Sequence, residues 1–180
     1  MNEVETKILG VDADEVKQKL AFLEAEASQN ARLTVDWYGP KGLTHMGDDP
    51  WFLRVRSYNN EKHEVTWKGK SDVLGVSRIH KEINFTVSDK NEVMRFFEEL
   101  NLEKYAHQEK NRTSWRLKDW KFDLDQYPGM PAYLEIEGQS EKSIQEAIKL
   151  LGQQNKTATP LGERDVITKN YGLNWFDMRF

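Results

Sequence analysis

Charged residues in this chain recur two apart, and that spacing limits what it can fold into. The first eight residues, Met1 to Ile8, carry Glu3, Glu5 and Lys7 with Val4, Thr6 and Ile8 between them. Side chains two apart share a face in a strand, whereas in a helix they lie about 200° apart. The segment reads as a strand with one charged and one mostly apolar face, suited to a sheet packed on one side and lining a polar cavity on the other. The alternation returns down the chain. Arg32 to Tyr38 sets Leu33, Val35 and Trp37 against Thr34, Asp36 and Tyr38, and Trp51 to Tyr58 sets Phe52, Arg54 and Arg56 against Leu53, Val55 and Ser57. Glu64 to Lys70 has Glu64, Thr66, Lys68 and Lys70 on one side, and Val76 to Val87 has Arg78, His80, Glu82 and Asn84. Tyr105 to Lys118 carries Lys110, Arg112 and Arg116; Trp120 to Asp125 carries Asp123 and Asp125; Tyr133 to Glu137 carries Glu135 and Glu137.

Between these strands the apolar period changes to that of a helix. Asp12, with Glu15 three residues on, opens a helix whose face holds Val16, Leu20 and Leu23, extended by Phe22, and which ends near Glu26. Ser88 or Asp89 caps a second helix to Leu100 with a stripe of Val93, Phe96, Phe97 and Leu100. A third runs from Glu141 to Leu151, and a short one lies near Arg164 to Asn170. Asn59-Asn60 and Lys118-Asp119 read as tight turns. Gly39 to Pro50 is the longest expected loop, Ser71 to Gly75 is a shorter one, and Tyr171 to Phe180 forms an aromatic tail.

With 180 residues, 38% hydrophobic, the chain is expected to be one domain, 1–180, with a real core. A net charge of −4 gives no general attraction to duplex nucleic acid or an anionic membrane. The absence of cysteine rules out disulfides and thiolate metal sites. No apolar run approaches the ~18 residues that span a bilayer, and no signal peptide is evident, so a cytoplasmic protein is expected. Monomer and homodimer both remain open.

About eight strands joined largely by hairpins, with a few helices, point to an α+β chain built on an eight-stranded antiparallel β-barrel. On a single strand, charge facing water is the common case. Amphipathic helices alter this, because each needs an apolar surface, and the outside of the barrel supplies it. The charged faces then point inward. The enclosed bases are Lys7, Arg54, Arg56, Lys68, Lys70, Arg78, Lys110 and Arg112, and the acids are Glu3, Glu5, Glu82, Asp123, Asp125, Glu135 and Glu137. Burying so many charges costs several kcal/mol per unpaired ion. Clustered carboxylates call for Mg²⁺ or Mn²⁺, and clustered Arg and Lys call for phosphate. A metal-bound polyphosphate satisfies both.

Glu3-Val4-Glu5-Thr6-Lys7 resembles the ExExK signature of the CYTH superfamily, the triphosphate tunnel metalloenzymes. The order of the later groups is similar: Asp36-Trp37-Tyr38, Arg54/Arg56, Lys68/Lys70, Arg78 before Glu82, Lys110/Arg112, Asp123/Asp125 and Glu135/Glu137. The likeness runs from about residue 2 to 138 and more loosely to 171. It implies an eight-stranded tunnel that holds a triphosphate and one or two divalent metals. Glu3, Glu5, Glu135 and Glu137 would be metal ligands, with Asp125 a further acid at the metal. The basic residues from Lys7 to Arg112 would grip phosphate oxygens, with Glu82 and Asp123 elsewhere on the tunnel wall. Lys7 and Tyr38 are the catalytic candidates, Tyr38 as a proton-transfer or hydrogen-bonding group at the mouth. His80 departs from the pattern, which often has a glutamate there.

The expected activity is metal-dependent hydrolysis of an inorganic or organic triphosphate. The alternatives are a class IV type adenylate cyclase, a non-catalytic polyphosphate-binding module, and an interaction domain with its charges outside. Arg116 is expected at the rim, His45, His63 and His107 at the surface, and the tryptophans between barrel and helices.

Overall fold

The computed structural model describes residues 2–42 and 51–180, and side chains from Val4 onward. Eight antiparallel strands close on themselves: β1 (Asn2–Leu9), β9 (Tyr133–Gly138), β8 (Trp120–Gln126), β7 (Leu102–Leu117), β2 (Glu26–Pro40), β3 (Trp51–Tyr58), β4 (Lys62–Gly69) and β6 (Ser77–Val87), which pairs back onto β1. Three short strands join them. β5 (Asp72–Leu74) pairs with β6 within the expected Ser71–Gly75 loop, β10 (Thr157–Thr159) pairs with β1, and β11 (Asp177–Met178) runs parallel to β7. Strands this short carry no readable alternation.

The turns follow local chemistry. Asn59 and Asn60 adopt φ of 51° and 60°, the left-handed pair that a two-residue hairpin loop requires. Lys118 takes the same region, at 54°, between β7 and β8.

Three helices lie on the outer wall. In α1 (Ala13–Phe22) the Asp12 carboxylate accepts from the amides of Asp14 and Glu15. The helix ends at Phe22, earlier than expected, because Glu24 turns left-handed at φ 56°. Phe22 does not extend the apolar face and is 80% exposed. α1 and α3 (Glu141–Leu150) bury Val16, Leu20, Ile144 and Ile148 on Val4, Ile8, Phe122, Leu124, Leu134 and Ile136, the outward residues of β1, β8 and β9. α2 (Lys90–Glu99), capped by Asp89, sets Phe97 against Tyr38, Val55 and Val65. Val93 packs beside it, but Phe96 and Leu100 of the stripe are exposed, so the helix rests on a narrower track than its sequence suggests.

The barrel is not charged along its full depth. A second core, with Leu9, Leu33, Val35, Trp37, Tyr127 and Tyr133, fills one end and packs on Val166, Ile167 and Trp175 from the C-terminal segment. On β2 the apolar set is therefore the inward one, which reverses the expected sense for that strand. The segment reaches this place through a single turn, α4 (Glu163–Asp165), and a π-helical turn, Val166–Asn170. The aromatic tail thus covers the edge of β7 beyond the end of β8 and helps close the barrel. Among the described residues, no helix is long and apolar enough to cross a membrane.

The burial pattern gives a direct stability test. Phe97 is 5% exposed and its ring lies 5.0 Å from that of Tyr38. Phe97→Ala should lower unfolding stability by about 3 kcal/mol, while Phe22→Ala should change it by less than about 0.5 kcal/mol. Urea unfolding midpoints of the two variants check this.

Candidate active site

Antiparallel register brings the charges together. Directly opposite residues point to the same face of a sheet, and inside this barrel most such pairs are of opposite sign. Lys7 on β1 faces Glu135 on β9, and Glu5 faces Arg78 on β6. Lys68 faces Glu82, Arg56 faces Glu64, Arg112 faces Asp125, and Lys121 faces Glu137. Each of these is also an ion pair: Lys7–Glu135 at 2.8 Å, Arg78 Nε–Glu5 at 2.5 Å, Lys68–Glu82 at 2.5 Å, Arg56–Glu64 at 2.6 Å, Arg112 Nε–Asp125 at 2.6 Å and Lys121–Glu137 at 2.7 Å.

Most of them line a cavity of about 430 Å³. Among its described lining residues, ten Lys or Arg stand against seven Asp or Glu, so the cavity is positive inside a chain whose net charge is −4. Arg54, Arg56, Lys68, Arg78, Lys110 and Arg112 all line it. The buried Nε atoms of Arg54 and Arg56 have no hydrogen-bond partner among the described residues, so each offers a donor to an incoming anion.

Three acids gather on the β1–β9 wall. One carboxylate oxygen from each of Glu5, Glu135 and Glu137 lies within 4.8 Å of the others. Glu5 and Glu137 are directly opposite in the β1–β9 register, a like-charge pairing that destabilises a sheet unless cations balance it. Burial pushes the Glu5 carboxyl up, but Arg78, Lys7 and Lys68 more than offset this and hold it well below the usual range. Burial and neighbouring Glu5 likewise raise Glu135, yet Lys7, Arg112 and Lys110 bring it down overall. Both acids are thus ionised, as a cation ligand must be. An all-oxygen set of this kind suits Mg²⁺ or Mn²⁺.

Several expected site residues stand elsewhere. Tyr38 points to the outer wall beneath Phe97 and does not line the cavity. Burial, with Asp36 and Glu98 nearby, pushes its hydroxyl pKa up. Asp36, also outward, accepts from His107 Nδ1 at 2.7 Å and pairs with Lys90 of α2 and Lys104 of β7, each at 3.5 Å. In the Asp36-Trp37-Tyr38 group only Trp37 looks inward. The outer two fasten α2, and His107 belongs to that partly buried network rather than to the open surface. Lys70 follows the end of β4, is exposed and is not at the cavity.

Asp125 is not brought to the acid cluster. It accepts from Arg112 and from Lys110 at 2.9 Å, with the Tyr133 hydroxyl at 3.3 Å. Lys7 is buried between Glu5, at 3.2 Å, and Glu135, and positions those carboxylates without lining the cavity. Asp123 holds Arg112 and Lys121 and accepts from Ser114 at 2.6 Å. Glu82, which lines the cavity, also meets His80 Nε2 at 3.4 Å. Arg116 is exposed at the cavity margin, as expected of a rim residue. The Glu3 side chain and His45 lie outside the described parts.

Other cavity residues escaped the sequence reading. Trp37 and Trp175 line it rather than the helix interfaces, and Lys121, Glu64 and Glu163 contribute charge. Lys121 and Glu64 share the two-residue spacing and were legible by it. Glu163 lies outside the barrel strands, and no periodic signal marks it.

A family model for the CYTH domain matches residues 1–165. The chain belongs to the CYTH family. No curated protein matches it. Among solved structures it is similar to a conserved hypothetical protein of Pyrococcus furiosus, with 20% identity, a TM-score of 0.74, and 92% of this chain and 99% of that one covered. It is also similar to a candidate adenylate cyclase of Vibrio parahaemolyticus, at 14% identity and TM-score 0.74, covering 92% and 97%. A third similar structure is a candidate adenylyl cyclase of Hippeastrum described as having a dominant triphosphatase activity, at 13% identity and TM-score 0.68, covering 93% and 96%. These likenesses establish a shared fold.

One acid gives a pH test. Burial raises the Glu163 carboxyl, but Lys110, the Tyr127 hydroxyl and Arg54 bring it down to about 2. Because the folded value lies below the ordinary 4.5, its stabilisation is present above that pH and is lost as pH falls from about 4.5 towards 2. Glu163→Gln should therefore cost ~3 kcal/mol at pH 7 and much less at pH 2.5. Denaturant unfolding of both proteins at the two pH values checks this.

Proposed function

We propose that this CYTH protein hydrolyses a triphosphate, inorganic or organic, in the barrel cavity. The observation that carries the reading is a cavity lined by six inward Arg and Lys residues and by Glu135 and Glu137, whose carboxylates converge with that of buried Glu5. A purely anion-binding module has no use for the Glu5–Glu137 opposition. Glu5, Glu135 and Glu137 are the residues that would hold a divalent cation, which when bound neutralises phosphate charge and stabilises the leaving group.

The protein's own residues account for the rest. Arg54 and Arg56 receive phosphate oxygens on donors that are otherwise unused. Lys68 and Arg78 exchange Glu82 and Glu5 for the ligand in part, and Arg112 stays anchored on Asp123 and Asp125 as a fixed positive wall. Lys7 keeps Glu5 and Glu135 apart and ionised. Water attacks the terminal phosphorus, its bond to the bridging oxygen breaks, and orthophosphate leaves with a proton released.

The test is product analysis with Mg²⁺ or Mn²⁺, offering inorganic triphosphate, ATP and thiamine triphosphate in parallel. Orthophosphate is expected. Formation of cAMP and pyrophosphate from ATP would replace this reading with the cyclase, and binding without turnover would replace it with the binding module. Arg56→Ala should lower kcat/KM by about 10²-fold or more. Glu137→Gln should raise the half-saturating Mn²⁺ concentration more than about tenfold, a loss that even the outer hydrogen-bond partners of metal ligands can cause.

A further inference from the structure

The chain places one of its own carboxylates where an anion would go. Glu163 Oε2 lies 3.1 Å from Lys110 Nζ inside the barrel. Its other oxygen, Oε1, is buried and receives no well-formed hydrogen bond, although the Tyr127 hydroxyl is close enough to help hold the group ionised. The preceding residue passes hard against a second cation. A Cβ on Gly162 would come within 3.1 Å of an Arg78 guanidinium nitrogen, so glycine lets the backbone approach that closely. Residues 162 and 163 thus lie against Arg78 and Lys110, two of the side chains assigned above to phosphate.

Around Glu163 the cavity is lined by Arg164, Asp165 and Trp175. Behind them Val166 and Ile167 pack with Trp175 on Leu9, Tyr127 and Tyr133, an apolar layer that closes this end of the barrel and offers nothing to a phosphate beyond it. A substituted triphosphate must then enter with its free phosphate leading, because its bulky group cannot pass this closed end.

We propose that Glu163 is a positioning residue: the stop that sets how deep a polyphosphate chain enters, and so which phosphoanhydride bond reaches the Glu5–Glu135–Glu137 cluster. The proposal rests on the triphosphatase reading. With the stop in place, water attacks the γ-phosphorus of ATP, the bond from that phosphorus to the β–γ bridging oxygen breaks, and the products are ADP, orthophosphate and a proton. With the chain one phosphate deeper, water attacks the β-phosphorus and the bond to the α–β bridging oxygen breaks. The products are then AMP and pyrophosphate, with the proton again released.

The experiment measures ADP and AMP from ATP with Mn²⁺ for the wild type, Glu163→Ala and Glu163→Gln. A parallel arm measures binding of inorganic triphosphate in EDTA, where no turnover occurs. Glu163→Ala, which loses both charge and volume, should raise the AMP fraction at least about tenfold and tighten triphosphate binding several-fold. Glu163→Gln, which loses only the charge, should tighten binding with a smaller product shift. Asp165→Asn removes a neighbouring cavity charge paired with Lys169 and should leave the product ratio unchanged. An unaltered ratio in an active Glu163→Ala enzyme overturns the stop. If the wild type binds triphosphate without cleaving it, the hydrolase reading fails separately, and unchanged or weaker binding by both Glu163 variants then overturns this proposal as well.

Discussion

The structure depends on opposite charges meeting across neighbouring strands inside a closed barrel. An ion taken from water without a partner costs several kcal/mol, and the interior holds Glu5, Lys7, Lys110, Arg112, Asp123 and Asp125 nearly or wholly buried. Cross-strand register makes this tolerable. Lys7 opposite Glu135, Glu5 opposite Arg78 and Arg112 opposite Asp125 are consequences of pairing. A slip by one residue would turn a strand's inward face outward. The electrostatics therefore specify the register, and the register in turn builds the site.

The barrel is divided along its axis. One end is filled with apolar side chains and closed by the C-terminal segment, and the remainder is charged. On the outside, α1 and α3 cover the β1–β8–β9 wall, while α2 leaves Ile83 and Phe85 of β6 about half exposed. The helices thus satisfy the strands that carry the acid cluster most completely. Such packing would hold the proposed metal ligands in place before a cation arrives.

Period-two alternation made the strands, the barrel and the parity of each charged face legible, because a strand's geometry writes itself into spacing. It could not show where along the axis a residue sits. Asp125 has the inward parity of Asp123 but lies against Lys110 and Arg112, away from the acid cluster. Nor does alternation mark where a strand stops. Lys70 continues the pattern of Lys68, yet β4 ends at Gly69. Tyr38 failed for a different reason. On β2 the inward face is apolar because it fills the closed end, so the rule that polar faces look inward has the wrong sign there. Glu163 enters from outside the barrel strands, and only tertiary packing brings it to Lys110.

The same cations that stabilise the barrel are those a polyanion would use, so its binding would be an exchange of partners. Arg56 already holds Glu64, Lys68 holds Glu82 and Lys110 holds Glu163. A phosphate gains only the difference between its contacts and those it displaces, plus what the unused Nε donors of Arg54 and Arg56 contribute. The acid wall behaves differently. Asp123 opposite Glu135 is balanced by Arg112, Lys121 and Ser114. Glu5 opposite Glu137 also has flanking cations, Arg78, Lys7 and Lys68 on Glu5 and Lys121 on Glu137. A cation held between these carboxylates would offset their mutual repulsion at this point of the barrel.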